Sequence, residues 1–345
     1  MAASDQHTTG STAVGVAVVV LTLMGWTVTP LFIEHFTFGA NRIDAWTSNG
    51  WRYGFAALLW APLLVGLRLN GKWPVGVMKA ALIPAAINGT AQVFFTLSFY
   101  RIDPAMVAFG LRAQMVFTAA GAAMLFPPER RIIRSAGFLA GIGAVVVGTG
   151  GTVYFQDAGL GEKADPLGVF FAICAGAGFA AYALSVRKCM TGYSSMVSFA
   201  AISQYTALIQ IVLMLCFAER FGARALDLSA PQFGLLLLSA VIGIAAGHVL
   251  YYMSIERLGV AVSTGVIQLQ PFTVAALSIP LFGEHLSAMQ WVFGSVAVGG
   301  AMSMLRVQHR MRRAKRREME ALEYRDLPPD HVAAAAACED EPKRG

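Results

Sequence analysis

Charge is what this 345-residue chain has least of: 13% of its residues are charged, about half the share usual in soluble domains, while 56% are hydrophobic. That balance excludes a water-soluble globule, which has no way to hide so much apolar surface. Carboxylates are scarcest where they would matter most. Glu34, Asp103, Glu256 and Glu284 all fall at the ends of apolar runs, so no acidic residue stands at mid-depth as a proton carrier or sodium ligand, and strong ion coupling is not indicated. Cys174, Cys189, Cys216 and Cys338 show neither paired nor metal-type spacing, which argues against a disulfide framework or a zinc site. No HExxH, GxSxG or intramembrane pair of aspartates is present, so the chain is read as non-enzymatic, and the lack of a GxxxxGK[ST] loop disfavours a nucleotide-driven pump. The sequence implies no cofactor and no nucleic-acid partner.

What is present is a series of apolar stretches. A hydrocarbon core of about 30 Å takes roughly 20 helical residues at about 1.5 Å each. Ten runs fit, near 13–34, 46–67, 76–100, 103–126, 135–155, 167–187, 195–218, 232–255, 258–282 and 287–306. Gly71, Pro74, Pro127, Pro128, Gly159, Gly161 and Pro231 punctuate the joints. The expected fold is thus an all-α polytopic membrane protein with ten transmembrane helices. Residues 1–12 lack the basic start of a cleaved signal peptide, so the first helix is expected to be retained.

Basic residues orient the bundle. With the N-terminus inside, Arg68, Lys72, Lys79, Arg130, Arg131, Arg134, Arg187, Lys188 and Arg257 are inside, as are the ten Lys and Arg that follow Leu305. Only Arg42, Arg101, Lys163, Arg220 and Arg224 are left outside. This asymmetry places both termini in the cytoplasm of a plasma or inner membrane. Residues 307–345 form a basic tail whose first part, RVQHRMRRAKRREMEALEYR, reads either as a helix against anionic lipids or as a solvated segment; the remainder reads as disordered.

The chain also repeats itself at a shift of about 156 residues. Ser98 and Arg101 fall on Ser254 and Arg257, Arg112 on Gln268, Gln114 on Gln270, and Glu129 on Glu284 after a one-residue slip. Each half, 13–155 and 167–306, holds five helices. An odd number inverts the second half relative to the first, and inverted repeats are a transporter signature.

Gly25-Trp26 and Pro30 in the first helix, the Gly283-Glu284-His285-Leu286 tetrad, and the doubled five-helix plan resemble the drug/metabolite transporter superfamily, EamA type. The resemblance covers about residues 13–306. It implies export, or in some members uptake, of small metabolites by alternating access through a cavity between the halves. An intramembrane enzyme and a non-transporting receptor are the less favoured readings. Three departures stand out. Met115 occupies the place equivalent to Pro271, Thr27 follows Trp26 where the family usually has Gly, and 127–130 reads PPER instead of GER.

Candidate substrate-binding residues are Trp26, Gln92, Arg112, Gln114, His248, Tyr252, Gln268 and Gln270. Arg112 lies roughly 13 Å into its helix, where a charge costs about 2.5–3.5 kcal/mol even on insertion scales. Its planar fork suits a carboxylate or phosphate, and the expected partner is a small solute such as a carboxylate-bearing or amino-acid-like one. Pairing with a backbone carbonyl, or snorkelling, is the alternative. Residues two apart differ by about 200° around a helix, so one member of each pair, Arg112 with Gln114 and Gln268 with Gln270, should face the cavity and the other a neighbouring helix, unless the helix is locally unwound. Pro271 invites such unwinding, because it cannot donate to the carbonyl of Ile267. His248, Tyr251 and Tyr252 share one helix face, matched by Gln92, Phe95 and Thr96 in the first half. His248 is either a proton acceptor or a satisfied structural ring. Trp26 is either an aromatic wall for a planar solute or an interhelical packing residue, and Arg52 is expected to snorkel at the outer interface. The oligomeric state is left open.

Cysteine-accessibility labelling should place Lys72 inside and Lys163 outside. Finding both on one side would overturn the inverted arrangement.

Overall fold

The computed structural model describes residues 2–126, 130–155, 165–258, 263, 266–283 and 286–325. Among these every regular element is a helix. Nine helices are long and apolar enough to span a membrane: α1 Ala13–His35, α2 Ala45–Leu69, α3 Val77–Phe99, α4 Pro104–Leu125, α5 Ala136–Tyr154, α6 Pro166–Cys189, α7 Ser195–Phe217, α8 Ala230–Ser254 and α10 Ala288–Met311. Between the last two lies the shorter apolar helix α9, Gln270–Phe282. The run expected at 258–282 is therefore continuous helix only in its second part. Residues 127–129 of PPER, Glu284, His285, Lys163 and the chain after Arg325 lie outside the described residues. α10 runs on as helix to Arg325, so the first part of the basic tail does continue the last span.

Local chemistry sets the helix starts. Asp44 caps α2, accepting from the Thr47 amide at 2.8 Å and its hydroxyl at 2.6 Å, and Pro104, Pro166 and Pro231 occupy first-turn positions where an amide hydrogen is dispensable. At the other end of α9, Gly283 has φ 69°, the left-handed C-cap that glycine adopts without strain. Asp165 caps α6 through the Leu167 amide at 2.9 Å and pairs with Arg101. These two interactions, the amide first, hold its carboxyl below the usual range.

Lipid offers helices no hydrophobic drive to associate, so close packing and interhelical hydrogen bonds must do so. The principal contacts join α5 to α10, α3 to α6, α2 to α7, α1 to α8, α3 to α7, α4 to α6, α4 to α9, α1 to α9 and α2 to α8. Exchanging every helix with the one five places along maps this set onto itself: α1–α8 becomes α3–α6, and α4–α6 becomes α1–α9. In α5, Gly141, Gly148 and Gly151 let α10 approach until a Cβ at Gly148 would lie 2.3 Å from the Ala297 amide nitrogen. Between α2, α3 and α7 runs a polar seam. Asn49 donates to the Gln92 carbonyl at 3.2 Å and accepts from Thr96 at 2.7 Å, Asn88 donates to Thr206 at 3.3 Å, and Gln210 donates to the Gly89 carbonyl at 2.8 Å.

One expectation fails. Arg52 does not snorkel: it is 2% exposed and donates through Nε to Ser239 Oγ of α8 at 2.9 Å. The tight α2–α8 contact encloses it, and Ser239 supplies a nearer acceptor than the interface does.

Gly148→Leu should cost about 1–3 kcal/mol or more through overpacking against backbone. Gly150→Leu, where a Cβ meets nothing within 4 Å, should be tolerated. Melting in detergent separates the two; equal behaviour would show that the α5–α10 contact is not tight.

Candidate functional site

The site is built from defects in helices. Pro30 has no amide hydrogen for the carbonyl four residues back, that of Trp26, and Pro271 likewise leaves the Ile267 carbonyl free. A buried carbonyl without a donor costs about 1–3 kcal/mol. α4 and α9 are also interrupted at equivalent places. A 3₁₀ turn at Leu111–Ala113 precedes the helical segment that begins at Gln114, and a turn at Gln268–Leu269 precedes the one that begins at Gln270. Met115 in place of proline thus does not keep α4 regular.

Arg112 fills the gap between these breaks. It is 6% exposed. Its Nε donates to the Ala108 carbonyl at 3.2 Å, and Nη1 donates to Gln268 Oε1 at 2.9 Å and to the freed Ile267 carbonyl at 3.4 Å. Nη2 donates to Gln270 Oε1 at 3.1 Å. The other end of the Gln270 amide donates through Nε2 to the freed Trp26 carbonyl at 2.7 Å. A guanidinium only donates and a carbonyl only accepts, so the orientation of this amide is fixed from both ends. Both glutamines reach Arg112 because the turn at 268–269 breaks the 200° spacing of a regular helix. All these partners are neutral oxygens; among the described residues no carboxylate pairs with Arg112. Beside the relay, the hydroxyls of Thr27 and Thr273 lie 2.6 Å apart and form a second α1–α9 link.

An aromatic wall backs the relay. The Trp26 ring packs against His248 and Tyr251, with centroids 5.6 and 5.1 Å away, and His248 stacks on Phe199 at 4.9 Å. His248 Nδ1 lies 3.1 Å from the Ile244 carbonyl, so that nitrogen carries the hydrogen. A π-helical stretch at Val241–Ala246 in α8 faces α1, and a Cβ at Gly243 or Gly247 would lie 2.4 Å from Thr29 Oγ1 or 2.6 Å from Trp26 Nε1. The close α1–α8 approach is supplied by these glycines on α8.

Of the sequence candidates, Trp26, Arg112, Gln268 and Gln270 come together, with His248 one ring behind. Gln92 belongs to the α2–α3–α7 seam through its carbonyl, and Gln114 stands apart, its backbone close under Gly176 of α6. Tyr252 lines a separate cavity of about 190 Å³ between α6, α7 and α8, whose wall includes Arg187, Ser198 and Phe199. The Thr27–Thr273 link escaped the sequence reading because threonines are common in apolar helices. Its only legible signal was the position of Thr27 beside Trp26 and of Thr273 two places after Pro271.

Residues 166–306 match the EamA-like transporter family. No curated protein sequence matches the chain. A solved crystal structure, 14% identical, is similar over 88% of this chain and 99% of its own with a TM-score of 0.55, a likeness of fold alone.

Proposed function

From a chain whose residues 166–306 belong to the EamA-like transporter family, and which falls in the drug/metabolite transporter superfamily, we propose a secondary transporter of small organic metabolites. It works as an exporter by alternating access between two inverted five-helix repeats, with both termini cytoplasmic in the cell membrane. The contact set that survives exchange of each helix with the one five places on supports the repeats. Support for a tenth crossing comes from the chain on either side of α9. Leu258 packs at Gly15, near the start of α1, whereas the Ser287 hydroxyl donates to the Phe155 carbonyl at the end of α5, at 3.3 Å.

The observation that carries the reading is Arg112: a cation at the break of α4, enclosed by the bundle and joined to the equivalent break of the opposite repeat by neutral acceptors only. A structural role would be met more cheaply by an uncharged residue, because removing a charge from water costs several kcal/mol that neutral oxygens offset only in part. A solute with a carboxylate group, amino-acid-like in size, supplies the missing negative charge. Trp26 offers that solute an aromatic surface, and Gln268 and Gln270 line the same point, with His248 one ring behind. The basic tail beyond Leu305 lies against anionic lipid.

Metabolite profiling of cells with and without the protein identifies the solute, and proteoliposomes then report its transport. Arg112→Gln should lower transport about tenfold or more, the worth of one charge-assisted hydrogen bond, with normal membrane insertion. Arg112→Lys should recover part of it, since an ammonium lacks the planar fork. Normal transport by Arg112→Gln would make the residue structural.

A further inference from the structure

We propose that Gln268 and Gln270 hold the seat of the solute's carboxylate on Arg112, so that carboxylate binding displaces their amide oxygens and releases α1 from α9. The inference rests on the transport reading and adds an occupant and a coupling to it. Two oxygens on separate side chains meet the two terminal nitrogens of one guanidinium at 2.9 and 3.1 Å. A bidentate carboxylate presents two oxygens to the same two nitrogens. The amides therefore imitate the ligand without its negative charge, and a carboxylate adds the attraction of an ion pair to the same two hydrogen bonds. Exchange needs no movement of the cation. Nε on the Ala108 carbonyl and Nη1 on the Ile267 carbonyl stay in place and fix the plane of the fork.

The coupling follows from the second hydrogen bond of Gln270. When its oxygen leaves Arg112 and the side chain turns away, Nε2 leaves the Trp26 carbonyl, which Pro30 has deprived of a helical donor. The α1–α9 contact then retains the Thr27–Thr273 link but has lost the bond from Gln270. Ligand binding is thereby converted into a loosened α1. Gln270 is a positioning residue in this scheme: it acts on the solute through Arg112 and on the helix through Trp26.

The test is the reactivity of Arg112 toward phenylglyoxal, a dicarbonyl specific for arginine, followed by peptide mass spectrometry on the full-length protein in lipid, with exposed Arg68 as internal reference. Arg112 of the wild type should react at least tenfold more slowly than Arg68. In Gln268→Ala/Gln270→Ala it should react at least tenfold faster than in the wild type, and acetate, the removed group in ionised form, should slow it where acetamide does not. Gln270→Glu, which places a carboxylate permanently in the seat, should leave Arg112 less reactive than in the wild type. A wild-type rate in the double variant, equal protection by acetate and acetamide, or high reactivity in Gln270→Glu, the mark of a loosened fold, would each overturn the proposal. Labelling decides the exchange independently of transport. Protection as expected together with normal transport by Arg112→Gln would keep the seat and remove its role in transport.

Discussion

Everything at the centre of this bundle depends on finding acceptors for one guanidinium. Arg112 cannot give up its charge and cannot reach water from a position 6% exposed, so each donor must meet an oxygen. A regular apolar helix has none to offer, because its carbonyls already serve their own amides. The sequence supplies oxygens by breaking helices: Pro271 frees the Ile267 carbonyl, the turn at 268–269 aims two glutamines the same way, and Pro30 gives Gln270 something to hold with its other end. Removing either proline would restore a helical hydrogen bond and take a partner from the relay.

The rest of the bundle is held together differently from this centre. The α5–α10 pair is joined by glycines and small residues, with backbones nearly touching, and the α2–α3–α7 seam is pinned by amide and hydroxyl bonds. The relay, by contrast, consists of single hydrogen bonds from side chains that have rotational freedom. Close-packed backbones resist displacement, and lone side-chain bonds can be exchanged for others of similar strength. This difference is what a transporter needs: firm contacts about which to pivot and a centre that can be remade by its solute.

Much of this was legible before any coordinates. Apolar length located the spans to within a few residues except at α9, where Pro271 and the turn before Gln270 interrupt the run. The 156-residue shift paired Arg112 with Gln268 and Gln114 with Gln270, and the structure interrupts both helices at those places. Pro271 pointed to the Ile267 carbonyl as a free acceptor, which it is. Arg52 was misread because its depth along α2 says nothing of what faces it; Ser239 is 187 residues away and unremarkable in sequence. Gln114 holds the place equivalent to Gln270. Two related positions share a backbone environment, but only one of them finds an arginine opposite. That Arg112 reaches across to its own counterparts is a fact of packing between helices, which periodicity within a helix does not encode.

The central claim is that Arg112 and Gln270 bind one another across the two halves. A double-mutant cycle with Arg112→Met, Gln270→Met and the pair, read by unfolding in a lipid–detergent mixture, measures that bond directly. The account predicts a coupling above the average of about 0.6 kcal/mol for interhelical polar pairs in a membrane, because one partner is charged. Effects of the single substitutions that add to within about 0.3 kcal/mol would contradict it.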